Sequence, residues 1–596
     1  TSKYSALGAG LPAKSSVGAS SARSESTPMA FAHRYSPLNM LLAAILLAAA
    51  AFCGMPAYGA TYYVATTGVD TNSGTLASPF KTIQRAVTSV SPGDTVLVRV
   101  GSYPAFSLTN INGSAAAPIT FKPYNNERVI VDRYLGGGGS FRSIEFFGGS
   151  YIVIDGFEIT DTDPKIDQVR SYDFVNNTQA AYDFAILNGL PSHNGIKFNT
   201  HNSVLTSHVT LQNLLVYHCA GMAILGHTDN LNILNSRIYD NGAIGAYAIY
   251  VYGDSILIRG NLCHDNAGHG IRTGSGNGEA VNYLTNSVIE NNVSYNNNRP
   301  WILDQVTPPG YREGGDGIII WHGHSNIIRN NVVYGNSWHG IRVNGDSPFN
   351  NLVYNNTIYD NAHFASTYRG IYIYDSETND IRNNISFGNG SGAVSDQLYN
   401  GTGNTASNNL TTDPLFVSAA AADFRLQSGS PAIDAGITLS QVTTDFSGTL
   451  RPQGTAYDIG AYEFSSSGLV GHWKLDETSG TTAADSSGNS NTGTLTGFSG
   501  TYWVAGIVDG GLAFDGVDDR VNAGSGATLD NLASITVAAW IKPNTLGEGG
   551  KGRIVDKATS TTPDNGWIFN VTGTNQLNFS VDYTTTNMGR STATNA

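Results

Sequence analysis

The sequence predicts an all-β fold built around a right-handed parallel β-helix, and three observations predict it. The segments QNLLVYHC, NSRIYDN, GNLCHDN, NNVSYNN, NNVVYGN, NNTIYDN and NNISFGN repeat one pattern, with Tyr217, Tyr239, His264, Tyr295, Tyr334, Tyr359 and Phe387 at an equivalent position. Two places later stands Asn241, Asn266, Asn297, Asn336, Asn361 or Asn389, with Cys219 in the first copy. Each copy leads into a short strand-like run: GMAIL, YAIYVY, HGIRTG, DGIIIW, HGIRVN and RGIYIY, with NGIKFN opening the series. The copies are 22, 25, 31, 39, 25 and 28 residues apart. Such a unit cannot bury its apolar side alone, so copies must stack. The period-two pattern and the Asn-Gly density oppose helical solenoids, and propeller blades would be more even in size. Unequal spacing places loops of different length on one side of a stack, the longest from Asn298 to Gly315. Repeated Asn at one corner predicts a side-chain amide ladder, with the aromatics stacked beside it.

Each element follows in chain order. Residues 1–60 read as an upstream segment and a secretory signal starting at Met29, with Arg34, an apolar stretch from Met40 to Phe52, and small residues Ala57, Gly59 and Ala60 for cleavage. The apolar run is shorter than the ~20 residues a membrane span needs, so the mature chain is expected to be secreted or surface-associated with no membrane span. Residues 61–464 form the solenoid. FKTIQRAVTSV carries an apolar stripe at Phe80, Ile83, Ala86, Val87 and Val90 that suits a helix plugging the first coil. DPLF, FRL, GSPAIDAG, RP and DIGAYEF, from Asp413 to Phe464, do not repeat and read as a closing segment. Residues 465–468 form a linker, and 469–596 a second domain.

Composition narrows the function. The 596 residues carry a net charge of -14, and removing 1–60 leaves 28 basic and 45 acidic side chains, so a broad basic face for nucleic acid is excluded. Three cysteines exclude a disulfide framework. Cys219 and Cys263 lie about two coils apart, near ~10 Å, beyond the ~7 Å reach of a disulfide, and are expected to be free buried thiols.

The functional surface must be the outward side of one sheet. In G-I-x-h strands the Ile points in and x points out. This puts Lys197, Ala223, Tyr250, Arg272, Ile319, Arg342 and Tyr372 on one stripe, with Asn199, Leu225, Tyr252, Gly274, Trp321, Asn344 and Tyr374 beside it. Aromatic faces stack on sugar rings and guanidinium groups clamp carboxylates. Arg272 and Arg342 flank the coil of Ile319 and Trp321, about 10 Å apart, while Lys197 is nearer ~14 Å from Arg272 and serves a distant subsite. Asp316, His322 and His324 fall on the middle coil, with Arg312 and Glu313 on the loop before it.

This arrangement suits β-elimination on a uronic-acid polysaccharide, which needs cations or Ca²⁺ on the carboxylate, a base at the C5 proton and a donor for the leaving O4. The expected catalytic set is Arg272 and Arg342 for neutralisation, His322 as base or acid, Tyr250 as donor, and Asp316. Lys197, Tyr252, Trp321, Asn344, Tyr372 and Tyr374 are expected to bind substrate. Ca²⁺ is the cofactor such chemistry would use; no organic cofactor is implied, the metal ligands are unassigned, and the partner is an acidic polysaccharide acted on by a monomer. Two alternatives stay open: hydrolysis by paired carboxylates among Asp316, Asp346, Asp375 and Glu377, and a non-catalytic surface adhesin. Bland readings apply to His264 (a ladder member), His218 (a solvated turn) and the loop acids Asp161, Asp163 and Asp167. His322 and His324 are expected on one strand face as a metal pair lacking a third ligand.

Together with YYV, G-x-D and SPFKTI near Tyr62 to Ile83, the Asp413–Phe464 motifs make residues 61–464 resemble secreted bacterial β-helix proteins of the pectate-lyase superfamily with a choice-of-anchor closing segment. In polysaccharide lyase family nine, which that resemblance brings in, the base is a lysine within DGFA-x-K beside an aspartate cluster for calcium. NGIK here offers Lys197, with Asn194 in place of the acid and no matching cluster following. AGHGIRTG around His269 partly echoes the polygalacturonase pattern. Beyond the linker, GLVGHWKLDETSGTTAADSSGN, GGLAFDGVDDRVNAG and ITVAAWIKP resemble the opening half of a laminin-G-like, concanavalin A-like β-sandwich jelly roll, incomplete at its end. That resemblance implies glycan binding or adhesion, with Asp518 and Asp519 as candidates for a calcium site.

Overall fold

The computed structural model describes residues 59–591 apart from 136–140, 172–177, 244–245, 275–282, 298–313, 345–348, 364–366, 375, 391–397, 401–402, 465–468, 488–490, 508, 525–528, 530–535, 548–549, 551, 558–566, 574–575 and 584–585. The expected signal up to residue 58, the linker, Arg312, Glu313, Asp346 and Asp375 lie outside the described residues.

Three long parallel sheets wind around one core, giving the all-β, right-handed parallel β-helix. The first, 12-stranded, runs from Thr61–Val64 to Thr405–Ser407; the second, also 12-stranded, from Phe106–Thr109 to Tyr399–Asn400; the third, 10-stranded, from Gly101–Pro104 to Ile385–Phe387. Each strand pairs with the equivalent strand one coil away. The third sheet joins Tyr217 to Tyr239, Tyr239 to His264, His264 to Tyr295, Tyr295 to Tyr334, Tyr334 to Tyr359 and Tyr359 to Phe387, the alignment the repeat requires. Inward positions of the second sheet are branched: Ile196, Ile224, Ile249, Ile271, Ile318, Ile341 and Ile371 are each at most 1% exposed. Branched side chains suit this site because each sits flat against its copy one strand spacing, about 4.8 Å, away.

The asparagine corner forms the expected ladder. Nδ2 of Asn241, Asn266, Asn297, Asn336 and Asn361 donates to Oδ1 of the next member at 2.9–3.1 Å, ending on Asn389. Cys219 begins the column, its N–H donating to Asn241 Oδ1 at 3.1 Å. Two further ladders occupy other corners, one through Asn261, Asn292, Asn331, Asn356, Asn384 and Asn409, the other through Asn326, Asn351, Asn379 and Asn404. Beside the first, Tyr217, Tyr239, His264, Tyr295 and Tyr334 stack with centroids 4.8–5.5 Å apart. His264 is structural: its Nε2 accepts from Arg237 at 3.0 Å. Cys219 and Cys263 are free and buried.

At the N-terminal end a short helix, Ile83–Val87, is capped by Thr82 and buries Ile83, Ala86 and Val87 in the main core. The closing segment packs along the side of the stack. Phe416, Phe424, Leu426, Ile459 and Ala461 cluster with Tyr334, Tyr359 and Phe387 on the outer face of the third sheet. Corner asparagines with left-handed backbones hold it lengthwise: Asn330 donates to Thr444 O, Asn355 to Asp458 O, and Asn383 to Ile437 O. Arg451 and Glu463, both with fully buried side chains, pair within it at 2.6 Å.

Beyond residue 468 the strands are antiparallel, in sheets of three, two and four strands among the described residues.

Candidate active site on the second sheet

The register of the second sheet fixes which side chains share its outward stripe. Glu145, Lys197, Leu225, Tyr250, Arg272, Ile319, Arg342 and Tyr372 are partners in succession. One coil departs from expectation. Ile224 fills the inward slot between Ile196 and Ile249, so Leu225, not Ala223, faces out; Ala223 is buried in the corner before it. The neighbouring stripe accordingly carries His227 in that coil, paired with Tyr252, and continues as Trp321, Asn344 and Tyr374.

Two guanidinium groups converge on one indole. Arg272 Cζ lies 5.5 Å and Arg342 Cζ 4.8 Å from the Trp321 ring centre. Arg272 also sits 5.0 Å from the rings of Tyr250 and Tyr247, and its Nη1 donates to Tyr247 Oη at 2.7 Å. Arg342 stands 6.0 Å from the Tyr372 ring. The two adjoining stripes therefore bring Arg272, Arg342, Tyr250 and Tyr372 together with Trp321, as their spacing in the sequence requires. Around them Arg272 Nε, Arg342 Nε, Asn344 Oδ1 and Trp338 Nε1 are buried and, among the described residues, make no hydrogen bond. Buried polar atoms are nearly always partnered, and four unpartnered ones together mark a place built for something other than packing.

Behind the stripe runs a column at the residue two before each inward Ile: His269, Asp316, His339 and Arg369. The first three each take the next member's backbone N–H on the side chain. Asp316 N donates to His269 Nδ1 at 3.0 Å, His339 N to Asp316 Oδ1 at 2.9 Å, and Arg369 N to His339 Nδ1 at 2.9 Å. Both histidines therefore carry their proton on Nε2. Burial and the nearby arginines hold His269 well below the ordinary range and push His339 down to about 3, so both rings are neutral. Asp316 is 0% exposed. Burial raises its carboxyl to about 6 against the pull of Arg342 and Arg272. Its Oδ2 is 3.7 Å from Arg342 Nη1 and 3.3 Å from His269 Nδ1, without a hydrogen bond to either. The glycine that follows each column residue is sterically required: a Cβ at Gly317 would meet Val333 Cγ1 at 2.2 Å, and one at Gly270 would meet Ser294 Oγ at 2.1 Å.

Sequence reasoning missed His269, His339, Trp338 and Tyr247 as site neighbours. The signal was the repeated x-G-I slot itself, whose side chains turn along the corner rather than out with the strand.

His322 departs from expectation. The strand Ile318–Trp321 ends before it, His322 adopts φ 61°, and the next strand, Gly323–His324, starts after it. The left-handed residue breaks the alternation that would have put His322 and His324 on one face. His322 is 4% exposed and stacks on Tyr283 at 5.4 Å, while His324 stacks on Phe349 at 4.9 Å. A ring so enclosed cannot reach a C5 proton, so His322 is set aside as the base. Glu377 is exposed and bridges to Phe349, away from the stripe.

Lys197 lies three strands from Arg272 on the same stripe, about 14 Å by strand spacing. The DGFA-x-K spacing places its lysine five residues after the acid, which here is Asn199; Lys197 comes two earlier, on the adjoining stripe. Burial and the Arg142 charge lower its ammonium below the ordinary lysine range.

The donor set of this centre does not fit Ca²⁺, which takes six to eight oxygen ligands. One carboxylate, Asp316, stands there among the described residues, between cations. The upstream acids Asp161 and Asp163 already hold a cation, the buried Arg133 guanidinium at 2.6 and 3.0 Å. Asp515, Asp518 and Asp519 do converge, within 4.8 Å, but in the C-terminal segment.

Two family models agree with this architecture. A "Pel9A-like, right handed beta helix region" family model matches residues 62–299, and a "Right handed beta helix region" model matches 223–411. The uncharacterized protein YwoF of Bacillus subtilis is 28% identical over 145 residues, 24% of this chain and 29% of that protein. Pectate lyase PEL9 of Emericella nidulans is 37% identical over 75 residues, 12% of this chain and 18% of that protein. The matches thus span less than a third of either curated relative. Among solved structures, pectate lyase Pel9A has a TM-score of 0.48 at 19% identity, covering 70% of this chain and 98% of that one. A rhamnogalacturonan lyase gives 0.37 at 16% identity over 66% and 99%. A GH136 lacto-N-biosidase from Eubacterium ramulus gives 0.38 at 14% identity over 63% and 69%. The two family matches together make residues 62–411 right-handed β-helix sequence, its 62–299 part similar to the Pel9A-like region.

Proposed function

We propose that the chain cleaves a uronic-acid-containing polysaccharide by β-elimination on the outward stripe of the second sheet. The observation that carries this reading is the pair of guanidinium groups flanking Trp321 with unpartnered Nε atoms. A sugar ring stacks on the indole while Arg272 and Arg342 take its carboxylate, whose charge grows as the C5 proton leaves. Solvent water takes the C5 proton, the C4–C5 double bond forms as the C4–O4 bond breaks, and the departing O4 takes a proton. Tyr250, beside Arg272, is the phenol that gives O4 that proton and regains one from solvent. Asp316 anchors the coil behind and supplies counter-charge to Arg342. The matched Pel9A-like model and the pectate lyase PEL9 relative support a polysaccharide substrate.

The test is incubation of the full chain with pectate, alginate and glycosaminoglycans. Ultraviolet-absorbing unsaturated products are expected. Reducing ends without that chromophore would overturn elimination in favour of hydrolysis, and binding without cleavage would overturn both in favour of an adhesin.

A further inference from the structure

The stripe does not end at the Arg272–Trp321–Arg342 centre. Three strands upstream, Lys197 faces outward on Asn194–Asn199, opposite Glu145 on Arg142–Phe147. Arg142 stands on that same neighbouring strand, 3.5 Å from Glu145, and Glu145 also accepts from Asn199 Nδ2 at 2.8 Å. Glu145 is thus engaged by two other groups. Among the described residues the Lys197 ammonium makes no hydrogen bond and no ion pair, although it is half-buried on the sheet surface. A half-buried ammonium beside a guanidinium is repelled by it, and both gain from an external anion. Between the two cationic places the stripe carries Leu225 and Tyr250, with His227 and Tyr252 alongside in a tilted pair at 5.1 Å. The surface joining them is apolar and aromatic, the kind on which sugar rings rest.

We propose that Lys197 and Arg142 form a second carboxylate-binding subsite, occupied by the same uronate chain that reaches Arg272 and Arg342, with that chain lying along the solenoid axis. This rests on the uronate reading and deepens it. Lys197 and Arg272 are about 14 Å apart, and Arg272 and Arg342 about 10 Å. One pyranose residue in an extended chain is about as long as one strand spacing, so a chain contacting all three cations spans about six residues. Short oligouronides reach one cluster only; long ones bridge both, and the second contact becomes intramolecular.

The test measures binding of the full chain to size-fractionated oligouronides by calorimetry, so that it does not depend on turnover. The probes are a trimer, an octamer and an uncharged oligosaccharide of the octamer's length. The octamer is expected to bind at least tenfold more tightly than the trimer, and Lys197→Gln and Arg142→Gln to remove that advantage, with a much smaller loss for the trimer. Equal loss for trimer and octamer, or no loss for either, overturns the second subsite while leaving the uronate reading intact. Failure of every oligouronide to bind overturns the uronate reading itself, as does equal binding of the uncharged oligosaccharide. Lys197 points outward and Arg142 stands at the corner beside it, and urea midpoints of the variants equal to the parent's separate a lost contact from a lost fold.

Discussion

Replacing Asp316 with asparagine is expected to make the protein more stable and less active. The carboxyl is 0% exposed, and Oδ1 accepts the His339 N–H at 2.9 Å, a bond an asparagine Oδ1 retains. Oδ2 lies 3.3 Å from His269 Nδ1, whose one lone pair already takes the Asp316 N–H, and among the described residues it makes no hydrogen bond that an amide there would forfeit. Asparagine therefore mimics the neutral acid. Burial raises the acid from 3.8 to about 6. At ~1.4 kcal/mol per unit this shift of about two units is worth roughly 3 kcal/mol. The sign follows from proton binding: between the unfolded and folded values the native state holds the proton more tightly. The acid's favourable contribution is present below about pH 4 and is lost as pH rises to about 6. Asp316→Asn should then exceed the parent by roughly 3 kcal/mol near pH 8 and converge with it below about pH 4. Urea denaturation followed by circular dichroism at several pH values measures this. A variant no more stable than the parent near pH 8 refutes the reasoning.

Three further outcomes are expected. Arg272→Ala and Arg342→Ala should each lower polysaccharide turnover by about a hundredfold, the worth of one oriented charge in a transition state; unaltered turnover in steady-state assays would remove both from the site. Asn336→Ala removes donors to Asn361 Oδ1, Ser294 O and Tyr334 O and an acceptor for Asn297, all buried or partly so. It should cost about 3 kcal/mol or more by denaturant unfolding; a loss under about 1 kcal/mol would show that the ladder is not a stabilising network. Turnover should survive a chelator, because arginines stand where a calcium mechanism needs oxygen ligands; abolition by chelator and recovery on adding Ca²⁺ would contradict that.

Much of the fold was legible because the repeat is physical. Asn241 to Asn389 recur where a buried amide must meet its own copy, and Tyr217 to Phe387 recur where rings must stack, so identity along the chain reports adjacency in space. The outward stripe was legible from strand alternation, and Arg272, Trp321 and Arg342 came together as the spacing required. Alternation failed where the backbone left the strand. His322 in a left-handed corner lost the face expected of it, and GMAIL shifted because Ile224 rather than Met222 or Leu225 best fills the core slot. The closing segment was recognised as non-repeating, but nothing local says that Asn330, Asn355 and Asn383 would offer their amides to it along the flank. His339 escaped notice, and His269 was read only through AGHGIRTG, because their role, accepting a backbone N–H from the next coil, depends on stacking alone.

The most direct test of the central claim is cleavage of a uronate polymer in heavy-oxygen water, with mass spectrometry of the fragments. Elimination breaks the C4–O4 bond without adding water, so the products should carry an unsaturated end and no heavy oxygen at the cleaved linkage. Fragments with one heavy oxygen per cut and no unsaturation would show hydrolysis instead, and Arg272, Trp321 and Arg342 would lose their role as the clamp on a uronate losing its C5 proton.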